Sequence, residues 1–243
     1  MKTKMWKTMI AAMAILPMAL VSCHDDFFPG IAGRGEIVNE TISLADFDGF
    51  VSTISADIYL TQGDKQEVVI EAQQNIIDEI DLDRVDGGVW TIHYRHHVGF
   101  AKPVKIYITI PTLTKAGISG SGEVTGTTPF TGLDQLKLFI SGSGSMDLET
   151  ESVEMDASIT GSGDLKLGGK TGVLKLVVTG SGSFQGRDLV TTKADMTVSG
   201  SGSARLTVEE HLKVTVTGSG NVYYSGNPEV DLHITGSGSV THQ

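Results

Sequence analysis

Three histidines close together, His93, His96 and His97, are the residues of this chain that first suggest metal chemistry. A neutral imidazole is a common zinc ligand, and a catalytic zinc site takes three protein ligands that converge on one ion. The sequence predicts a strand over 89–97, and side chains on a strand alternate between its two faces. His93 and His97 would share one face and His96 the other. We therefore predict solvated or packed histidines and no metal site.

An acidic cluster precedes these histidines and could bind calcium through its carboxylate oxygens. A helix-loop-helix calcium site needs acidic residues at loop positions 1, 3 and 5 and a bidentate Glu at position 12. Asp81 and Asp83 fit the first two of these positions, but Val85 and Ile92 occupy the other two. We favour a solvated acidic loop and leave weak calcium binding there as an open alternative. The cluster consists of Asp78, Glu79, Asp81, Asp83 and Asp86.

Serine hydroxyls recur in the second half of the chain, which contains seven copies of a Gly-Ser-Gly motif. A catalytic serine needs a positioned general base, which is itself oriented by a third group. His233 is the only histidine beside one of these motifs, and no acid that could orient it is evident. The sequence therefore predicts no catalytic residue, no cofactor and no enzymatic activity. We predict that the row of hydroxyls is structural, and the alternative is a hydroxyl-lined face that binds a glycan.

Cys23 is the only cysteine of the chain and the one residue for which we predict a covalent modification. It follows a positively charged start and an unbroken apolar run over 9–21, a pattern typical of a secretory signal peptide. Residues 20–23 (LVSC) resemble the lipobox of bacterial lipoproteins, in which the thiol is diacylglycerylated and the chain is cut just before it. We predict a signal peptide over 1–22 and a tether over 23–35. The lipid at Cys23 would anchor the protein in the bacterial outer membrane, facing outward or, alternatively, the periplasm.

The formal net charge of −11 excludes one class of partner. A protein this acidic has no electrostatic footprint for nucleic acid. Anionic lipid surfaces would also repel it, so the lipid at Cys23 must provide the membrane attachment. Because the chain has one cysteine, no intramolecular disulfide can form.

The repeated motif defines the elements that would position these groups. Each copy reads Ile or Val, then Ser or Thr, then Gly-Ser-Gly, and successive copies begin 18 to 22 residues apart. Apolar residues stand two and four positions before the β-branched residue, so each copy carries a strand with one inward face. Such a period indicates stacked coils, each with a strand, a glycine corner, a second short strand and a variable polar return. The β-branched residues are Ile118, Ile140, Ile159, Val178, Val198, Val216 and Ile234.

The outward residue three positions before each β-branched residue carries a charge, and the sign alternates after the first two copies. Stacked parallel strands place equivalent residues about 4.8 Å apart, so neighbours of opposite charge would pair along the stack. We predict a structural ladder, because a track for a charged ligand would hold one sign. The column is Lys115, Lys137, Asp156, Lys175, Asp195, Lys213 and Asp231.

The first half of the chain contains strands without the regular motif. Residues 75–82 are predicted to form a short helix or a bulging loop, and residues 54–60 look like a degenerate copy of the later corner. Region 36–117 is therefore either wider coils of the same stack or a β cap that closes one end of its core, and 118–243 is the regular solenoid. The predicted strands of the first half cover 36–44, 50–61, 67–72, 89–97 and 104–111.

The array of corners, following an apolar β segment, resembles the head-GIN-domain family, which is described as auto-transporter adhesins. The resemblance covers roughly residues 40–240 and includes Ile108-Thr109-Ile110-Pro111 between the two parts. It implies an all-β fold, a right-handed parallel β-helix (β-solenoid), and a role in adhesion. The apolar marks of the first segment are Phe47, Phe50, Ile54, Ile58 and Leu60.

Three functions are open at this point. The first is an adhesin-like lipoprotein that binds extracellular glycans or matrix and other protein partners through a rigid surface. The second is a structural protein of the envelope whose coil ends associate into homo-oligomers. A polysaccharide-active enzyme is third, because the outward column after the corner has one acid and no carboxylate pair for glycosidase chemistry. That column reads Thr125, Asp147, Lys166, Gln185, Arg205, Tyr223 and Thr241.

Overall fold

A computed structural model describes residues 30–243, and this part of the chain is almost entirely β-structure. Strands account for 70% of the residues and helix for 2%. The elements of the first half are β1 (Ile31–Ala32), β2 (Ile37–Ile42), β3 (Gly49–Ser52), β4 (Asp57–Gln62), β5 (Glu67–Gln73), α1 (Gln74–Ile77), β6 (Val85–Asp86), β7 (Val89–Ile92), β8 (Val98–Phe100) and β9 (Lys105–Ile110).

The second half contains longer strands that follow the repeat. The four longest each begin after one glycine corner and end at the next. They are β10 (Lys115–Gly120), β11 (Glu123–Gly126), β12 (Phe130–Gly142), β13 (Ser145–Gly161), β14 (Asp164–Gly180), β15 (Ser183–Gly200), β16 (Ser203–Gly218), β17 (Asn221–Ser225), β18 (Glu229–Gly236) and β19 (Ser239–His242).

Equivalent residues of successive coils pair in parallel, in the register that the repeat predicts. Ile140 on β12 pairs with Ile118 on β10 and with Ile159 on β13. These side chains are buried in a core that runs the length of the stack, because each inward column repeats from coil to coil. The predicted all-β, parallel β-solenoid is confirmed, and it has about seven turns.

In the central coils the variable polar return is itself a paired strand, which the sequence did not predict, whereas the returns at 127–129 and 226–228 lie outside any strand. Strand β14 runs for 17 residues without interruption. Its return residue Lys170 pairs with Glu151 on one side and Val190 on the other. Pairing satisfies the backbone N–H and C=O groups that an irregular return would leave to water. Inside the bend, the Ser152 hydroxyl donates to Thr171 Oγ1 at 3.0 Å.

The glycines of the corner are required for two different reasons. Gly161 has a φ of +114°, a conformation that a residue with a Cβ rarely adopts. Gly163 packs tightly instead: a Cβ built there would lie 2.5 Å from Ile140 Cγ2 and 2.7 Å from the Gly144 carbonyl oxygen. The first glycine of each corner therefore makes the turn and also lies close to the preceding coil, whereas the second is required for the close approach alone.

The first half of the chain builds both coils and a cap. Strands β3 and β4 pair in parallel with β10 and β11, and on their other side with β7 and β9. The coil of 49–62 is therefore inserted between two coils that follow it in sequence. Its Ile58 pairs with Val124, so residues 54–60 are a copy of the later corner, as predicted. Strand β5 then pairs antiparallel with β9, and β2 pairs antiparallel with β5, which covers this end of the core.

Two segments of the cap differ from their predicted boundaries. Helix α1 is a single turn that starts one residue before the predicted segment 75–82. The predicted strand 89–97 is wrong beyond Ile92, because the chain there pairs with the acidic loop instead of a neighbouring coil: Asp81 N–H donates to the His93 carbonyl at 3.0 Å. Within residues 30–243, no helix has the length and apolar character needed to cross a membrane.

Candidate functional site

The strands that follow each glycine corner form one outward face of the solenoid, which we call the post-corner face. Its central column has the predicted register from Thr125 to Thr241. The inserted coil extends the column in a way that the sequence did not reveal. Thr125 pairs with Tyr59, and Tyr59 pairs with Tyr107. The full column is Tyr107, Tyr59, Thr125, Asp147, Lys166, Gln185, Arg205, Tyr223 and Thr241.

Two stacked tyrosines stand at the cap end of this face. The rings of Tyr59 and Tyr107 are 5.1 Å apart between centroids, with an interplanar angle of 15°. The Tyr107 hydroxyl donates to Glu71 Oε2 at 3.0 Å, and Lys105 Nζ lies 3.1 Å from Glu71 Oε1. These contacts hold the orientation of Tyr107, and Thr125 places only a small side chain on the other side of Tyr59.

The charges around Glu71 shift the pKa values of the groups that contact it. The hydrogen bonds from Lys105 and Tyr107 lower the pKa of Glu71, and the hydrogen bond to Glu71 raises the pKa of Lys105. Desolvation, followed by the bond to Glu71, raises the pKa of Tyr107. At neutral pH, Glu71 is therefore an anion and Tyr107 a neutral phenol that donates a hydrogen bond.

A shallow polar groove continues from the tyrosines along the solenoid. A depression of about 360 Å³ is lined by Asp147, Lys166 and Asp188, among others. The next depression, of about 270 Å³, shares Lys166 and Asp188 and adds Gln185 and Arg205. Lys166 Nζ lies 2.9 Å from Asp147 Oδ2, and this hydrogen bond raises the pKa of Lys166. The groove thus presents carboxylate, ammonium, amide and guanidinium groups in one line.

A second aromatic contact lies at the far end of the groove. The Arg205 guanidinium lies 4.9 Å from the centroid of the Tyr223 ring. A cation over a tyrosine face is attracted to the ring quadrupole, so the two side chains support each other's position. Gln185, between Lys166 and Arg205 in the column, has an exposed side chain.

The opposite outward face, before each corner, carries the alternating charges, and its residues have the predicted register. Among the described residues, two of the five predicted pairs are within 4.0 Å: Asp156–Lys175 at 4.0 Å and Asp195–Lys213 at 3.3 Å. This face is therefore a partly formed ion-pair ladder. A depression of about 700 Å³ at its edge is lined by charges of both signs and by no aromatic residue.

The histidines and the acidic cluster contact each other, which the sequence did not predict. His93 Nε2 lies 3.3 Å from Asp81 Oδ2, and His96 Nδ1 lies 2.9 Å from Glu79 Oε2. Asp81 also contacts Arg84 Nε at 3.5 Å and accepts a hydrogen bond from Asp83 N–H at 3.1 Å. These contacts use the Asp81 carboxylate to organise its own loop, which favours the solvated acidic loop over a calcium site. Within 30–243, no group of three or more His, Cys, Asp or Glu side chains is arranged to hold a metal.

The corner serines form the predicted row along the stack. The middle serine of each corner is exposed. Among the described residues, the histidine beside a corner, His233, contacts Thr235 Oγ1 at 3.5 Å and no corner serine. The predicted lipidation site, Cys23, lies outside the described residues, as do the predicted signal peptide 1–22 and most of the tether 23–35.

Residues 46–228 match the family described as "Putative auto-transporter adhesin, head GIN domain". The chain belongs to this head-GIN-domain family. The family description indicates a cell-surface or envelope protein of the adhesin type. No curated protein matches the chain.

Solved structures of similar fold come from Bacteroides and Parabacteroides species. A "putative adhesin" from Bacteroides fragilis superposes with a TM-score of 0.82 at 24% identity, covering 88% of this chain and 100% of that one. A "putative adhesin" from Parabacteroides distasonis gives 0.71 at 23%, covering 88% and 99%. A "putative lipid binding protein" from the same species gives 0.73 at 23%, again covering 88% and 99%. At identities of 23–24%, these similarities show a shared fold alone.

Proposed function

We propose that this head-GIN-domain protein is a non-enzymatic, outward-facing lipoprotein of the outer membrane that binds a linear glycan along the post-corner face. The observation that carries the proposal is the polar groove between the tyrosine stack and Tyr223. From Tyr59 to Tyr223 the column spans six strand spacings, or about 29 Å at about 4.8 Å each. That length suits an extended oligosaccharide better than a compact small molecule.

The chemistry of the groove matches the two kinds of surface that a sugar presents. The apolar face of a sugar ring packs on an aromatic ring, and its hydroxyls bond to charged and amide groups. Tyr59 supplies the ring, and Asp147, Lys166 and Gln185 supply the polar partners. Tyrosine and arginine are enriched among the residues that dominate binding energy at interfaces. Tyrosine does so because it buries a large area at a low entropic cost. The groove is built on paired strands, so little ordering is needed when a ligand binds.

The remaining parts of the proposal have separate support. The family name supports adhesion, and the resemblance of residues 20–23 to a lipobox supports an anchor at Cys23. The net charge of −11 makes a lipid the plausible means of attachment, since the protein itself would be repelled by anionic headgroups. Cleavage of the protein by external protease on intact cells, with a periplasmic control left intact, tests the outward orientation.

Calorimetric titration with linear oligosaccharides of increasing length tests the binding site. The series should include cello-, xylo-, chito- and sialylated lacto-oligosaccharides. We expect affinity to rise with chain length until the ligand fills the groove. Tyr59→Ala should weaken binding about tenfold, because an aromatic anchor is worth on the order of 1–3 kcal/mol. Gln185→Ala should weaken it by a smaller factor without disturbing any contact seen within the protein.

The matched control is Phe139→Ala, which removes an aromatic ring from the opposite outward face. Phe139 lies near Lys115, whose Nζ is 5.6 Å from its ring centroid. This variant should bind like the wild type. Equal affinities for wild type, Tyr59→Ala and Gln185→Ala would show that the post-corner face is not the site. If the protein binds a protein partner but no glycan, the proposed role in adhesion stands and the proposed glycan ligand is wrong.

A second candidate function, a structural protein that associates through its coil ends, is favoured by one observation. At the last described coil, Leu232 and Ile234 occupy core positions but are 46% and 42% exposed. Their counterparts one coil earlier, Val214 and Val216, are fully buried. Self-association that buries these side chains would appear in sedimentation as a mass that rises with concentration, in the absence of any glycan.

A further inference from the structure

The cap end of the solenoid carries an exposed apolar tip. Phe100, at the end of β8, is 73% exposed and is the most exposed large hydrophobic side chain of the described residues. Its neighbours Ala101 and Pro103 are also exposed, as is Ala32, which pairs with Phe100 across the two-stranded β1–β8 sheet. We call Ala32, Phe100, Ala101 and Pro103 the apolar tip. A group of exposed apolar side chains, unlike a single one, is typical of a surface that contacts a partner or a membrane.

The buried side chain of Gln73 fixes the tip to the N-terminal segment. Its Nε2 donates to the Gly35 carbonyl at 3.1 Å, and its Oε1 accepts from Lys102 N–H at 2.9 Å. Gly33 N–H donates directly to the Phe100 carbonyl at 2.6 Å. Because Gln73 is only 5% exposed, these bonds form in a water-poor environment and hold the two segments in one geometry.

Asn75 makes a second clamp on the same segment. Its Nδ2 donates to the Ala32 carbonyl at 2.9 Å, and its Oδ1 accepts from Arg34 N–H at 2.8 Å. The N-terminal segment therefore joins the body at a fixed place, beside Phe100.

Only a short stretch of chain separates this junction from the predicted lipid anchor at Cys23. Cys23 precedes Gly30 by seven residues. A fully extended chain of that length spans at most about 25 Å. A lipid at Cys23 would therefore keep the apolar tip within this distance of the bilayer. Arg34 and Lys102 flank the tip, and Lys102 Nζ lies 2.9 Å from Glu36 Oε2. Arg34 thus supplies a cation beside the aromatic side chain, as is typical of surfaces that rest at a membrane interface.

We infer that the cap end faces the membrane and that Phe100 inserts into the interface of the bilayer. The orientation rests on the anchor in the proposed function, whereas the contact itself rests on the exposed tip. The solenoid axis would then point away from the membrane, with the glycine corners stacked outward from it. The post-corner face would lie along the side of the rod and remain accessible to a ligand.

The experiment places a tryptophan at the tip and measures its distance from lipid. Full-length Phe100→Trp protein is expressed, extracted and reconstituted in phosphatidylcholine vesicles that contain lipids brominated near the headgroup. The wild type provides the background spectrum for subtraction: Trp90 lies in the core, and Trp6 belongs to the predicted signal peptide, which the mature lipoprotein lacks. Emission from the new tryptophan should fall roughly twofold or more in brominated vesicles, as expected of an aromatic side chain at the interface.

Val153→Trp is the matched control, because Val153 is a 62% exposed apolar residue on the body of the solenoid. It should show no quenching. Equal quenching at both positions, or none at Phe100→Trp while the protein stays in the membrane fraction, would overturn the tip contact and leave the anchor intact. Protein found in the soluble fraction, with no lipid label on Cys23, would overturn the anchor. Quenching of that soluble Phe100→Trp protein by added vesicles would still support the tip contact.

Discussion

Replacing Gly161 by alanine would test the packing of the glycine corner. A Cβ at this position would lie 2.5 Å from the Gly142 carbonyl oxygen of the neighbouring coil, where real Cβ atoms essentially never stand. The φ of +114° adds backbone strain. The corner must shift, and the bond from Ser162 N–H to the Gly142 carbonyl, now 2.9 Å, will lengthen or break.

The expected loss of stability is the sum of the backbone strain at Gly161 and the lost hydrogen bond. A residue with a Cβ in a positive-φ conformation costs about 1–2 kcal/mol. Loss of the Ser162–Gly142 hydrogen bond costs about 1 kcal/mol more. The free energy of unfolding should therefore fall by about 2–3 kcal/mol. For a chain of this size, that corresponds to a decrease in Tm of about 4–12 °C.

Thermal unfolding of the full chain, followed by circular dichroism, measures this difference against two controls. Gly87→Ala also has a positive φ, +56°, but a Cβ there meets nothing within 4 Å. Only the backbone term of about 1–2 kcal/mol then remains, so its Tm should fall by about 2–8 °C and by less than that of Gly161→Ala. Ser162→Ala removes an exposed hydroxyl from the same corner and should stay within about 0.5 kcal/mol of the wild type. If Gly161→Ala is no less stable than Gly87→Ala, the close approach of neighbouring coils does not determine the corner sequence.

Two further predictions concern charge. Lys213→Glu would place an acid between Asp195 and Asp231 of the neighbouring coils, so it should lower the free energy of unfolding by about 0.5 kcal/mol, and by less in 0.5 M salt. The neutral variant Lys213→Gln should cost less. A loss of stability that does not depend on salt would contradict the ion-pair ladder. The pKa of Glu71 is lowered in the folded protein, so its contribution to stability is present above its ordinary pKa of 4.5 and is lost as the pH falls below it. Glu71→Gln should therefore flatten the acid limb of the Tm–pH profile, and an unchanged limb would show that Lys105 does not hold this carboxylate.

Much of the solenoid could be predicted from the sequence, because its repeat is local. The column of Ile118, Ile140 and Ile159 has the register that the motif spacing predicts. A coil can bury its apolar face only against an equivalent face, so the repeat itself selects the partner. The same logic gave the charged column and the corner glycines.

The candidate site was predicted only in part. The column from Thr125 to Thr241 was identified, but Tyr59 and Tyr107 were not added to it. The degenerate corner at 54–60 was the available signal, since aligning it with the first regular corner places Tyr59 opposite Thr125. The contacts between the histidines and the acidic loop left no such pattern, because they join two irregular segments.

By itself, the sequence determined the β-solenoid, its register and the positions where only glycine fits. These follow from side-chain alternation and from steric limits that act within one coil or between successive coils. Only the tertiary structure decided that the coil of 49–62 lies between two later ones, which brings the tyrosine pair onto the polar groove. It also decided that Gln73 and Asn75 clamp the N-terminal segment beside Phe100. Both depend on which of several compatible edges a strand pairs with, and that choice is made by packing across the whole cap.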